Sequence, residues 1–172
     1  MARIAVLTAS DKGSSGTRED SSGAAVRDMS EAAGHTVTAS AILPDEREAI
    51  AKKLATWCDQ GLADVVLTTG GTGLGARDVT PEATRGIGER DVPGIPAALM
   101  SAGLAHTPFA ALSRGIAVTR GTTLIVNLPG STRAVREGME VLLPLLDHIS
   151  DLLTGSLEHE GPGVARQPRS ER

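Results

Sequence analysis

Val65-Val66-Leu67-Thr68-Thr69-Gly70-Gly71-Thr72-Gly73-Leu74-Gly75 is a short apolar run that empties into a glycine-rich turn, and Ala76-Arg77-Asp78-Val79-Thr80-Pro81-Glu82 follows it. A run of this length bounded by glycines reads as a buried strand, here residues 64–69. Thr80-Pro81 reads as a helix start, with Thr80 as the cap and Pro81 at the first helical position, where a missing N–H costs nothing. The unit is therefore strand, loop, helix. Glycines let the backbone pass close to an anion in conformations barred to other residues, and Thr69 and Thr72 add hydroxyl donors to the loop amides. With Thr80 in the capping position, the Asp78 carboxylate is left to face the loop.

The same alternation runs outward in both directions. Residues 3–10 are a second apolar run of buried-strand type, ending in Asp11-Lys12-Gly13-Ser14-Ser15-Gly16, which reads as a loop. A helix is expected over about 20–33, closing on Gly34, and a strand over 37–43. Pro44 then precedes Asp45, a good N-cap, with Glu48 three residues on as in a capping box; Ile50, Leu54 and Trp57 follow at helical spacing. Past Pro93-Gly94-Ile95-Pro96 a short helix is expected over 97–104. Residues 116–119 and 123–127 read as two strands joined by a tight turn at Arg120-Gly121-Thr122. From 131 to 153, Val135, Met139, Leu142, Leu146, Ile149 and Leu153 mark an amphipathic helix in which Pro144 predicts a kink or break.

Alternating strands and helices imply an α/β fold with a largely parallel sheet covered on both faces, whose ligands bind at the carboxyl ends of the strands. That rule selects three loops, Ser10 to Gly16, Gly70 to Asp78 and Pro129-Gly130-Ser131, and predicts that they converge. A chain of 172 residues with 40% hydrophobic content suits one domain, taken as 1–154, with a polar loose tail over 155–172. The net charge is −4, and Trp57 and Phe109 sit in no basic cluster, so nucleic acid is not an expected partner. Cys58 is the single cysteine, which excludes an internal disulfide framework. No apolar run approaches the roughly 20 residues of a membrane span, and no basic segment with an apolar stretch opens the chain. A cytoplasmic protein with no membrane partner is the expectation.

Two nucleotide motifs compete for the glycine loop. Gly71 to Ala76 formally satisfies the dinucleotide fingerprint, but Asp91, at the distance where that fold ends a strand in an acid, leads instead into Val92-Pro93-Gly94. A phosphate-loop NTPase is excluded because no Gly-Lys-Ser/Thr follows the glycines. A demanding turn alone would need one glycine, and Gly70, Gly71, Gly73 and Gly75 exceed that. Two acids near a phosphate site suggest Mg²⁺, which takes carboxylates and keeps its waters. Taken alone, Asp45 reads as a structural cap, and Arg77 is the best placed of Arg18, Arg77 and Arg133 to complement a phosphate.

Thr68 to Gly73 with Arg77 to Thr84, the Leu43-Pro44-Asp45-Glu46 segment and Asn127-Leu128-Pro129-Gly130-Ser131 together resemble the MogA/MoaB family, which includes molybdopterin adenylyltransferases and the gephyrin G domain. Ser10-Asp11 and the stretch from Thr107-Pro108 to Leu112-Ser113-Arg114 extend the similarity over nearly the whole chain before the tail. The resemblance implies a three-layer α/β/α sandwich, usually a homotrimer, that moves AMP from Mg-ATP to the terminal phosphate of molybdopterin and releases pyrophosphate. It also implies that Asp45 and Asp78 are the functional acids and the Mg²⁺ ligands. Ser10, Asp11, Pro129, Gly130 and Ser131 would hold the pterin, while Thr69, Gly70, Gly71, Thr72, Gly73 and Arg77 would hold phosphates. The alternatives are a non-catalytic, molybdopterin-binding MoaB-like relative and a hydrolase of nucleotide-like substrates on the related domain of competence-damage proteins. No catalytic histidine is required, and His35, His106, His148 and His159 all fall outside these loops.

Overall fold

In this computed structural model, which describes residues 1–155, the strands are β1 (Arg3–Ala9), β2 (Thr36–Leu43), β3 (Val65–Thr69), β4 (Arg90–Asp91), β5 (Ala117–Arg120) and β6 (Thr123–Leu128). They form one sheet in the order β2-β1-β3-β6-β5-β4. The first four in that order run parallel, while β5 and β4 are antiparallel to their neighbours. The helices are α1 (Asp11–Ser14), α2 (Ser21–Ala32), α3 (Arg47–Asp59), α4 (Thr80–Arg85), α5 (Gly94–Leu104) and α6 (Thr132–Thr154), with a 3-10 turn at Pro108–Leu112.

Side-chain alternation divides the core into two layers. Ile4 and Val6 of β1, Val65 and Leu67 of β3, and Leu124, Val126 and Leu128 of β6 face α2, α5 and α6, meeting Val26, Ile95, Val135, Met139, Leu142 and Leu146. Their sequence neighbours Ala5, Leu7, Val66 and Ile125 face the opposite way, onto Ile50, Leu54 and Trp57 of α3 and Ala83 of α4. The mostly parallel three-layer sandwich follows from this two-residue period. Each fully buried Leu or Ile contributes about 1.5–3 kcal/mol relative to exposure.

Several local expectations are corrected. Residues 11–14 form a helical turn rather than loop, because the Ser10 side chain accepts a bond from the Gly13 N–H and caps it. Asp45 is not the cap of α3: Glu46 occupies that position and makes no side-chain cap bond, while the Asp45 carboxylate accepts the Asp11 N–H instead. Thr80 is the first residue of α4, preceded by Val79 as cap. Pro144 does not break α6, which continues to Thr154. Pro144 lies on the exposed side of the helix, where water can satisfy the carbonyl that its missing N–H releases. The 3-10 turn and the two-residue β4 carry no periodic pattern and were not expected. The proposed tail lies outside the described residues, apart from Gly155, which caps α6 in the left-handed conformation. No helix among the described residues is long and apolar enough to cross a membrane.

The chain leaves β1 for β2 on one side and then places β3 on the other. The switch in direction therefore lies between the carboxyl ends of β1 and β3, where α/β sheets open a crevice. Ser10 leaves β1 there, and Gly70 leaves β3.

Candidate active site

The loops selected from sequence do converge, because β1, β3 and β6 are adjacent parallel strands whose carboxyl ends share one edge of the sheet. Gly70 sits at φ +89°, and a Cβ built on it would lie 2.3 Å from the carbonyl oxygen of Ala9. Only glycine lets the two strands part at this distance. Gly130 backs onto the same point, with a Cβ position 3.2 Å from Gly70 Cα. The Thr69 hydroxyl donates to the Pro129 carbonyl at 2.7 Å and so ties the glycine loop to the Pro-Gly-Ser turn. Thr69 is fully buried, and its hydroxyl proton is committed to that bond rather than to a ligand phosphate, contrary to the role expected from sequence.

Two cavities open on either side of this junction. The larger, about 420 Å³, is bounded on its polar side by Gly71, Thr72, Gly73, Asp78, Pro129, Gly130 and Ser131. Its apolar wall comes from α5 and the 3-10 turn, chiefly Pro96, Leu99, Met100, Phe109 and Leu112. Such a volume suits a ligand of cofactor size. Ser131 caps α6 by accepting from the Ala134 N–H, so the positive end of a 23-residue helix points to this wall. The smaller cavity, about 130 Å³, is polar and contains Ser10, Arg18, Asp20 and Ser22, with Gly70 and Gly130 at the shared wall. Ser10 and the Pro-Gly-Ser turn thus meet across Gly130, while Asp11 lines neither cavity.

Asp11, Asp45 and Arg77 form a polar bridge beside the crevice. The N–H of Asp11 donates to Asp45 Oδ2 and the N–H of Asp45 donates to Asp11 Oδ1, both at 3.0 Å. Arg77 grips Asp11 with two bonds, Nε to Oδ2 at 3.1 Å and Nη2 to Oδ1 at 2.8 Å. The expected phosphate-binding arginine is therefore held by a carboxylate. The Arg77 bond, seconded by the Asp45 N–H, draws the Asp11 carboxyl below its ordinary range. Asp45 moves the other way, since partial burial pushes it up, and the negative charges of Asp11 and Asp78 add to the push. Asp78 accepts the Gly75 N–H at 2.8 Å through Oδ2, which folds the loop back on itself and aims the carboxylate inward.

Thr80, beside these acids, carries a second signal. Its hydroxyl is fully buried and without a hydrogen-bond partner. Thr80 Oγ1 and Asp45 Oδ1 lie 2.3 and 3.1 Å from the point that a Cβ on Gly71 would occupy. Two oxygens thus crowd a position that only glycine can occupy, with Asp78 nearby. This donor set fits a hard cation that takes its remaining ligands from water and phosphate. Among the described residues no group of three or more His, Cys, Asp or Glu could hold a metal, so any such ion would be bound largely through a ligand.

Two further residues support the site. Asn127, buried near the carboxyl end of β6, donates through Nδ2 to the hydroxyls of Thr68 and Thr84, both at 2.9 Å, and lines the larger cavity. A polar residue inside a six-residue buried strand was the signal for it. Arg114 bonds the glycine loop, and no local spacing announces that. Of the remaining basic candidates, Arg133 pairs with Glu137 at 2.8 Å and Arg18 faces the smaller cavity. Cys58 is buried away from both cavities, and burial pushes its thiol up to about 11.

Comparison with known proteins identifies the chain's relatives. The family described as "Probable molybdopterin binding domain" matches residues 5–148. The chain is 40% identical over 155 residues to a molybdopterin adenylyltransferase of Helicobacter pylori strain J99, covering 89% of this chain and 88% of that protein. It is 36% identical over 140 residues to the molybdopterin adenylyltransferase of Escherichia coli K12, covering 80% and 72%. Among solved structures, the molybdopterin biosynthesis enzyme MoaB of Thermus thermophilus superposes with a TM-score of 0.84 at 48% identity, covering 90% of this chain and 98% of that one. The Mog protein of Mycobacterium ulcerans gives 0.83 at 33% identity, with 89% and 99% covered.

Proposed function

The chain belongs to the MogA/MoaB family of molybdopterin-binding domains, and on that premise we propose that it is a molybdopterin adenylyltransferase acting in molybdenum cofactor biosynthesis. It takes AMP from ATP, transfers it to the terminal phosphate of molybdopterin and releases pyrophosphate. The observation that carries the reading is the junction at Gly70 and Gly130, where the glycine loop with Asp78 and the Pro-Gly-Ser turn line one cavity at the switch point of the sheet, with Asp45 packed against Gly71.

A phosphate monoester has a second pKa near 6, so the terminal phosphate of molybdopterin is largely dianionic at neutral pH and attacks without a general base. Its oxygen forms a bond to the α-phosphorus of ATP, and the bond to the bridging oxygen breaks, leaving the electron pair on pyrophosphate. The chain's task is to hold two anionic reactants in line. In this reading the amides of Gly71, Thr72 and Gly73 and the positive end of α6 at Ser131 receive phosphate oxygens. The apolar wall around Leu99, Met100 and Phe109 encloses the less charged part of a substrate. Asp45 and Asp78, with the Thr80 hydroxyl, would hold Mg²⁺, which supplies neutralisation of charge on the transferred phosphate. Arg77 serves phosphate only if it exchanges Asp11 for it, which makes it a bridge between loops first.

The same reading expects a cytoplasmic homotrimer, for which sedimentation equilibrium is the test. The activity is tested by mass spectrometry of purified protein incubated with molybdopterin and Mg-ATP, where adenylylated molybdopterin is the expected product. ATP cleaved without molybdopterin would instead indicate a hydrolase.

A further inference from the structure

The tip of the glycine loop has nothing apolar to hold it. Leu74 is 68% exposed, and residues 74–77 are all exposed, so hydrophobic packing does not fix the stretch that carries Asp78. Within the loop, Gly75 and Asp78 bond only to each other, Asp78 N–H to Gly75 O at 2.9 Å and Gly75 N–H to Asp78 Oδ2 at 2.8 Å. From outside, Asp11 holds the side chain of Arg77 at the tip, and the two limbs of the loop are held separately.

Arg114 reaches it at both limbs. Its backbone N–H donates to Thr72 O at 2.8 Å, Nε to Gly73 O at 2.6 Å and Nη2 to Asp78 O at 2.6 Å, while Nη1 donates to Glu82 Oε1 on α4. One residue thus clasps the outgoing strand of the loop, its returning strand and the helix behind it. The planar guanidinium fork, with donors pointing three ways, is what such a task needs, and a lysine ammonium is a compact point charge that cannot span it. The other oxygen of Glu82 is buried without a partner, so the carboxylate depends on Arg114 for its hydrogen bonding. Ser113 and Gly115, on either side of Arg114, line the larger cavity, so the segment that turns Arg114 toward the loop also shapes the pocket wall.

We infer that Arg114 is a positioning residue that holds the glycine loop, and with it Asp78, in its working shape without touching substrate. For its turnover readout this rests on the adenylyltransferase reading; for its exchange readout it does not. The test is Arg114→Lys in the full chain, comparing kcat, KM and site-resolved amide hydrogen exchange with the wild type. The expected result is a kcat lowered about tenfold or more, with KM for molybdopterin and ATP within about threefold. Exchange at Gly75 and Asp78 should be about tenfold faster while amides of β3 and β6 keep their protection.

Wild-type kcat together with wild-type exchange in that variant overturns the inference. So does a loss of protection through the whole sheet that matches the loss of turnover, because Arg114 would then be part of the scaffold only. Should Arg114→Lys fail to accumulate folded, Glu82→Gln carries the test, with the same pattern in smaller measure expected and wild-type behaviour overturning it. If the wild type forms no adenylylated product, the functional reading fails separately, and the exchange at Gly75 and Asp78 still decides the role of Arg114.

Discussion

Asp11 and Asp45, 34 positions apart, bond each other's backbone N–H through their carboxylates at 3.0 Å, and Arg77 from a third loop closes on Asp11. Two acids placed so close split in their titration. Asp11, beside the guanidinium, is held low, and Asp45, partly buried and facing Asp78, is pushed high. The pair therefore joins an anchoring carboxylate to one that is costly to ionise and ready to meet a cation.

That asymmetry has a sign that can be measured. Asp45 binds its proton more readily in the folded chain than in the unfolded one, so it detracts from stability as pH rises from its ordinary value through its raised value. Asp45→Asn is expected to melt a few degrees above the wild type at pH 7, with the gap closing below about pH 4. Thermal melts across pH decide it, and a variant less stable than the wild type at pH 7 contradicts the burial argument. Asp11 has the opposite sign: its contribution is present above the ordinary carboxylate value and lost as pH falls through its lowered one.

Asp78 can be separated from the fold. Asparagine keeps an oxygen to accept the Gly75 N–H, so Asp78→Asn should retain the loop bond and the melting temperature. Without the charge, turnover is expected to fall about 100-fold or more. Undiminished kcat in a folded variant removes Asp78 from the chemistry.

Gly70→Ala tests the junction itself. Gly70 and Gly34 share nearly the same φ, +89° and +85°, but a Cβ on Gly34 meets nothing within 4 Å, whereas on Gly70 it meets Ala9 O at 2.3 Å. Both substitutions incur the left-handed cost of about 1–2 kcal/mol. Gly70→Ala should exceed Gly34→Ala by more than about 1 kcal/mol in urea denaturation, because β1 and β3 must separate. Equal losses would mean that the contact is easily relieved.

Cys58 should be inert. Buried on α3, with its thiol pushed up to about 11, it has little thiolate at neutral pH. Reaction with an aromatic disulfide reagent is expected only as the protein unfolds, at a rate that follows urea concentration. Rapid labelling of the native protein contradicts this.

Much of the architecture was legible because buried parallel strands are apolar runs that end in glycine or proline. Val65 to Thr69 before Gly70 and Thr123 to Leu128 before Pro129 are such runs, and the loops that follow them are the ones that meet. Arg90–Asp91 was not legible, since two residues paired antiparallel to β5 have no period. Asp45 misled in its local role, because Pro44-Asp45 satisfies the chemistry of a cap, yet the Asp11 N–H, 34 positions away, competes for the same carboxylate. The role of Arg114 in holding the loop was invisible for a related reason. The partners of its guanidinium, Gly73, Asp78 and Glu82, lie 32 to 41 positions earlier, and two of those three acceptors are main-chain carbonyls that any sequence supplies. Short-range patterns reach strands and loops; the bonds that fix a loop's shape belong to tertiary structure.

Adenylyl transfer to molybdopterin is tested by the stoichiometry of pyrophosphate released from Mg-ATP with and without molybdopterin. One pyrophosphate is expected for each adenylylated molybdopterin formed, and none when molybdopterin is withheld. Saturable molybdopterin binding with no pyrophosphate, or pyrophosphate released in the absence of molybdopterin, would contradict adenylyl transfer.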